Sequence, residues 1–555
     1  MSAATGGPGA VSAVADGYLR ERARLDPEAA DVLGEHDVLR IGDLSDATFE
    51  ARVDLDRRTL AELSALGADA GGAAEQRLAA AMTERLGADV ALDEVGFTRR
   101  LLAPLATPVH LVRQVFDGLP STTPDERAVV ERHLREVPRA LAQYRDTLLA
   151  AAARGDVVAR RQVLGVARQC DSWVASGFYA GVAGDDERLA GPARDAAAAT
   201  ASFADDLRER LLPLAPERDA VGRDVYATTS AAFLGAVVDL DELYAWGWEE
   251  IRRLQAEAAA IATELVGSPD VAAAVRSLDA DPARRVPTGE PLRAWLQGRI
   301  DDVTDVVDGR WFAIPPRLRH VEARLVTAES GVMYYTPPDA GLTRPGRVWW
   351  TVPAGAADVT TWREVSTVHH EGVPGHHLQH AITYGLDDLH PWQRNLCHVH
   401  GYAEGWAHYA EQLASEIGLL DDPGERLGAV FAQLWRACRI VIDIGLHLEL
   451  PIPPGTGVLD AGRWTPEVGV AALVSIAEVE PSTATFEVDR YLGWPGQALA
   501  FKVGARLWQQ ARADVAASLG DAFDLRTFHA EALGLGPMGL GPLQDQLARG
   551  QEIPS

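Results

Sequence analysis

The sequence predicts a mainly α-helical protein carrying one small β-sheet. Apolar residues recur at three- and four-residue spacing along most of the chain, and helix-start signatures stand in front of such stretches. Only between Arg319 and Pro353 do short β-branched and aromatic runs replace that pattern. Hydrophobic residues make up 47% of 555 positions and charged residues 24%, the balance of an ordinary globular chain able to bury a large interior.

Taken in order, Met1 to Ala15 is rich in Gly, Ala and Ser, has no basic leader and is broken by Pro8, so it reads as a loose tail and not a secretion signal. Leu55 to Leu66 is helical. Thr123, Pro124 and Glu126 open another helix, whose Val130, Leu134, Val137, Leu141, Tyr144 and Leu148 form one apolar stripe, with a kink predicted at Pro138. Helices follow over Ala193 to Leu212 and Leu240 to Leu265. Three strands are predicted over Val321 to Val326, Val332 to Tyr335 and Val348 to Val352. Asp358, Thr360 and Thr361, with Glu364 behind them, are candidate caps for the next helix, and Leu427 to Leu450 is helical again. The division that results is a helical N-terminal lobe, residues 1–316, and a second lobe, residues 317–555, within one unit.

The formal charge of −28, with Lys502 as the single lysine, disfavours phosphate backbones and anionic lipid surfaces as partners. No run of about 18 uncharged apolar residues is long enough to span a bilayer. Cys170, Cys397 and Cys438 are too scattered for a disulfide framework or a metal clip. A reducing cytoplasm is the expected location.

Residues 368–380, Val-His-His-Glu-Gly-Val-Pro-Gly-His-His-Leu-Gln-His, concentrate imidazoles around one carboxylate, and imidazole is a preferred zinc ligand. The zincin helix H-E-x-x-H sets two histidines about 40° apart on one face, with the Glu between them as base. Here His370-Glu371 is followed by His376, which an unbroken helix would turn about 120° away. His377 would return to the face but lie roughly 10.5 Å further along the axis, too far to share one ion. Pro374-Gly375 resolves this, because Pro interrupts the hydrogen-bond ladder and Gly accepts unusual dihedrals, so that His376 can take the second-ligand position. The rival pair His376 and His380 has i, i+4 spacing but no Glu between. The third ligand of Glu-type zincins comes from the next helix, and Glu404 stands 28 positions after His376. His408 and Glu411 share its face and are expected to orient it. His369, His377, His380, His398 and His400 read as packed or exposed side chains.

At these residues the chain resembles the bacterial family called domain of unknown function 885, whose hallmark H-E-x-x-P-G-H and E-G-W-A stand here as His370 to His376 and Glu404 to Ala407. Weaker matches lie at Leu25-Asp26-Pro27, Leu33-Gly34, Arg439 through Asp443 to His447, Arg490-Tyr491 and Pro495-Gly496-Gln497-Ala498; Phe501 stands where the family leads one to expect Tyr. The family looks like a distant relative of thermostable carboxypeptidase and neurolysin-type metallopeptidases. That likeness implies a two-lobed, helical, zincin-like fold with a deep cleft and the small sheet beside the active-site helix, acting on short peptides.

The expected chemistry uses one zinc ion on His370, His376 and Glu404, with Glu371 as general base and proton shuttle. Tyr491, Arg490 and His447 are candidate donors to the oxyanion. The strand Val348 to Val352 is a candidate edge for an extended peptide, with Tyr334 and Tyr335 lining the same cleft. Two alternatives stay open: a zinc hydrolase of non-peptide amides or esters, and a catalytically silent helical binding protein.

Overall fold

The computed structural model describes residues 9–35, 41–67, 71–328, 333–338, 343–458 and 461–550. Helices dominate them, as the periodicity requires. The expected start at Thr123 is a full capping box: its side chain accepts from the Glu126 backbone while Glu126 returns to the Thr123 backbone, and the helix Pro124–Ala153 runs on through Pro138. All six residues of its predicted stripe are buried. The other expected helices are observed as Asp46–Leu66, Glu187–Asp206, Leu240–Val266 and Pro423–Leu448. Asp26, from the early Leu-Asp-Pro motif, caps the short helix Pro27–Val32.

The expectation of a loose tail to Ala15 is corrected in its second half. Ala10–Arg22 is a helix whose Val11, Ala15, Tyr18 and Leu19 are buried, because Glu75 accepts hydrogen bonds from its first free N–H groups, at Val11 and Ser12. Residues 1–8 lie outside the described residues.

Among the described residues five strands form two sheets. β1 (Arg285–Pro287) pairs antiparallel with β5 (Asp358–Thr360). In the other sheet β2 (Val321–Ala328) runs parallel to β4 (Gly346–Pro353), and β3 (Tyr334–Thr336) is antiparallel to it, giving the order β2-β4-β3. Two expectations change. The strand Val348 to Val352 belongs to the middle strand, paired with β2 throughout but with β3 only at Val348 and Trp349, so the edges of the sheet are β2 and β3; Val332, expected in the strand observed as β3, lies outside the described residues. Asp358 and Thr360 are not helix caps, because Arg285 pairs with Asp358 and the β-branched Val359 and Thr360 extend beside β1.

One hydrophobic core is built from residues between Leu44 and Leu211 alone. Three others cross position 316. Leu240–Val266 packs on Pro423–Leu448 in one, the helix Ala10–Arg22 joins Trp406, Trp508 and Leu540 in another, and Leu292, Leu296 and Ile300 pack with Val321, Val348 and Val368 in the third. Among the described residues no single helix is long and apolar enough to cross a membrane.

Candidate metal centre

Two short helices replace the continuous zincin helix. Val365–Glu371 ends at Gly372, and His376–Gly385 begins after Gly375. Gly375 has to be glycine: a Cβ there would lie 1.9 Å from the His370 carbonyl oxygen. The Val373–Pro374 peptide between the helices is cis. With the axis interrupted, His370 and His376 face each other with ring centroids 4.8 Å apart, nearly perpendicular.

The carboxylate comes from the helix His400–Glu416. Its Glu-Gly-Trp-Ala motif divides the work of placing it. Gly405 lets the helix meet Lys502–Leu519, since a Cβ there would be 2.7 Å from the Gly504 backbone. Trp406 is fully buried and donates its indole N–H to the Pro374 carbonyl at 3.0 Å, tying this helix to the break between the histidines. Glu404, two residues earlier, then projects its Oε2 to 3.3 Å from His370 Nε2 and 3.6 Å from His376 Nε2.

These distances suit a shared ion. Tetrahedral zinc with bonds of about 2.0–2.1 Å holds its donor atoms about 3.3 Å apart. Glu404 Oε2 is buried and has no hydrogen-bond partner despite its two close nitrogens, so the three atoms converge without satisfying one another. Among the described residues, His370, His376 and Glu404 are the group able to hold a metal, their donor atoms lying within 4.8 Å of one another.

The surrounding shell differs from expectation at one point. Glu411 orients His370 and not Glu404: its Oε1 lies 2.8 Å from His370 Nδ1 and 3.2 Å from His408 Nδ1, while Oε2 accepts from the Ser366 hydroxyl at 2.8 Å. With Nδ1 donating to Glu411, it is His370 Nε2 that faces the site. Ser366 precedes His370 by four residues on the same helix, the one sequence signal that could have placed it. His376 has no such support; its buried Nδ1 makes no hydrogen bond.

Burial opposes charge on all these groups, and their partners decide the outcome. The His370 ring is pushed up to about 10 because Glu404 and Glu411 outweigh its desolvation. Both carboxylates are held well below the usual range against the same penalty, Glu404 by His370 and His376, Glu411 by Arg436 and His408. Glu371 goes the other way. Burial raises it despite the pull of His370 and His376, which suits a proton acceptor.

His377 points away from this group: its Nε2 donates to the Leu318 carbonyl at 2.8 Å and its Nδ1 meets the Tyr335 hydroxyl at 3.0 Å. His380 stacks on Tyr335. The candidate ligands, Glu371, Tyr334 and Tyr335 line one cavity of about 700 Å³.

The three expected oxyanion donors do not line that cavity. Tyr491 is buried and donates its hydroxyl to Glu487 at 2.7 Å; Arg490 is held by Glu487 and Gln497; His447 is wholly buried between the Tyr491 carbonyl and the Val221 N–H. Tyr491 and His447 spend their side-chain polar atoms inside the protein, and Arg490 does so except at its buried, unpaired Nε, so the structure does not bring the three to the candidate ligands. Arg436 and Arg439 line the cavity instead. Glu371 lines the same cavity beside the candidate ligands.

Residues 27–547 match the family described as "Bacterial protein of unknown function (DUF885)". The fold is similar to that of two solved structures. One is a candidate lipoprotein from Colwellia psychrerythraea, with TM-score 0.82 and 20% identity, covering 98% of this chain and 99% of that one. The other is a candidate lipoprotein of unknown function from Shewanella oneidensis, with TM-score 0.73 and 17% identity, covering 98% and 100%. No curated protein sequence matches the chain.

Proposed function

We propose that this chain, which belongs to the DUF885 family, is a zinc-dependent hydrolase of peptide bonds with a zincin-like active site. The reading rests on one observation: Glu404 Oε2, buried and without a hydrogen bond, faces two imidazole nitrogens at 3.3 and 3.6 Å beside a carboxyl whose affinity for protons is raised.

His370, His376 and Glu404 would hold the ion, which when bound supplies Lewis acidity toward a carbonyl and lowers the pKa of a water. Glu371 receives the proton that the attacking water gives up and passes it to the leaving amine. Its buried setting keeps the protonated form accessible for that second transfer. Glu411 keeps the His370 ring in the tautomer that offers Nε2. Met333, Tyr334 and Trp350 give the cavity an apolar wall for substrate side chains.

The experiment is elemental analysis of the purified protein together with turnover of a short-peptide library. About one zinc per chain with peptide cleavage abolished by a chelator is expected. A protein that takes up no zinc after supplementation, or that binds zinc and cleaves no peptide, overturns the reading in its metal or its substrate half respectively.

A further inference from the structure

Another cavity, of about 490 Å³, shares no lining residue with the one at the metal centre. Its wall is mostly apolar, with Phe97, Leu101, Val157, Val158, Leu492 and Pro495 among the lining side chains. That volume is in the range that holds small organic molecules. Four polar side chains interrupt the wall: Arg100, Gln162, Arg218 and Asp219.

Two of the four are engaged. Arg218 gives its guanidinium to Glu449 at 2.6 Å, and Asp219 Oδ2 accepts from Arg161 at 3.1 Å. Arg161 is shared with Asp489, and Asp219 Oδ1 is buried without a hydrogen bond.

The other two have polar atoms to spare. Arg100 sits in the turn after the helix Ala73–Glu94, and among the described residues its guanidinium makes neither a hydrogen bond nor an ion pair. Asp156 acts on it only through space, and burial wins, lowering its affinity for the proton. Here a cation is partly withdrawn from water with no anion against it. Gln162 is 3% exposed. Its Nε2 donates to the Asp489 carbonyl at 3.0 Å, while no donor among the described residues reaches its Oε1. Gly493 makes room for that amide, since a Cβ there would lie 2.8 Å from Gln162 Oε1. Buried side-chain acceptors are normally satisfied, and the cavity is the space in which a donor to this one can stand.

An anion receptor, a hydrogen-bond acceptor and an apolar wall thus face one enclosed volume. We propose that this cavity binds a small monocarboxylate with an apolar body and an N–H group, that is, an apolar α-amino acid or its N-acyl derivative. The carboxylate lies against the Arg100 fork, which matches it in plane and charge. The N–H donates to Gln162 Oε1, and the side chain covers the apolar wall. The site is independent of the peptidase reading, because none of its residues belongs to the metal centre.

The test is calorimetry on the full chain in chelator, which keeps a bound metal from capturing the same ligands. The probes are phenylalanine, N-acetylphenylalanine, phenylalaninamide, 3-phenylpropanoate and alanine. One of the first two should bind at least about tenfold more tightly than phenylalaninamide, which lacks the anion, and than alanine, which lacks the body. It should also bind several-fold more tightly than 3-phenylpropanoate, which lacks the N–H. Phenylalanine ahead of its acetyl form assigns a free amino acid, and the reverse order assigns an acylated one. Arg100→Gln breaks no bond of the fold and should erase the preference for acid over amide at an unaltered thermal midpoint. Should that variant not fold, Leu214→Glu, at a lining position 54% exposed, puts a like charge on the cavity and should weaken the acids but not the amide. No binding of either acid, equal binding of acid and amide, equal binding of 3-phenylpropanoate, or a preference that survives in the folded variant overturns the proposal.

Discussion

Among the clusters of buried titratable side chains in the described residues, two stand out in the sequence. One is His370, Glu371, His376 and Glu404. The other joins Asp443, His447, Arg490 and Tyr491. In the second, Asp443 Oδ2 accepts from Tyr226 and the Gly496 N–H and His447 spans two backbone groups, while Asp443 Oδ1 and Arg490 Nε are buried without a hydrogen bond. In the first, short approaches are left without hydrogen bonds and the group opens on a cavity. Density of ionisable residues therefore marks both a structural knot and a candidate site. What separates them is convergence: Glu404 Oε2 and two imidazole nitrogens meet at the wall of a cavity that the members of the second cluster do not line.

The comparison breaks most sharply at the ligands. Replacing His370, His376 or Glu404 with Ala should release the metal and with it all hydrolysis, because each supplies one of three protein donors. His377→Ala should keep zinc, since that ring is bonded to Leu318 and Tyr335. Retained zinc in His376→Ala, with loss in His377→Ala, would exchange the two assignments.

Glu371→Gln should come next in size. It keeps the shape but removes the proton acceptor, so hydrolysis should fall by about 10²–10⁴-fold with zinc content near one per chain. Full activity in a zinc-loaded Gln variant would strip Glu371 of its role.

A change in the second cluster should act on stability alone. His447→Ala leaves the Tyr491 carbonyl and the Val221 N–H without their partner, a loss of about 1–3 kcal/mol for each group in denaturant unfolding. Turnover per folded molecule should stay as it was. A drop in kcat at unchanged zinc would return His447 to the catalytic group.

The smallest effect is in the pH profile. Burial holds Asp443 up at about 8 in the folded protein, against an ordinary carboxylate value near about 4 once unfolded. Between those values the folded state keeps a proton that the unfolded state has released, so stability falls as pH rises through that window. Asp443→Asn should flatten the decline in thermal midpoint between pH 5 and pH 8. An unchanged slope would show that the carboxyl is ionised in the fold.

By itself the sequence determined the helical class, because a 3.6-residue apolar period can be read locally, as can a capping box such as Thr123 with Glu126. It also determined which residues form the H-E-x-x-P-G-H and E-G-W-A motifs, and that Pro374-Gly375 must interrupt a helix, because His370 and His376 cannot meet along an unbroken one. The strand at Val348 to Val352 shows where such reading stops: its residues specify an extended segment, but only pairing with β2 along its length and with β3 at Val348 and Trp349 puts it in the middle and leaves β2 and β3 at the edges. Glu411 bonding His370 and Trp406 holding the Pro374 carbonyl were decided by the tertiary structure. Each depends on how side chains from helices distant in sequence meet, and no local periodicity encodes that. For the same reason Tyr491, Arg490 and His447 have the chemistry of oxyanion donors in the sequence but face inward in the fold, where buried polar groups must find partners and the nearest ones lie in the core.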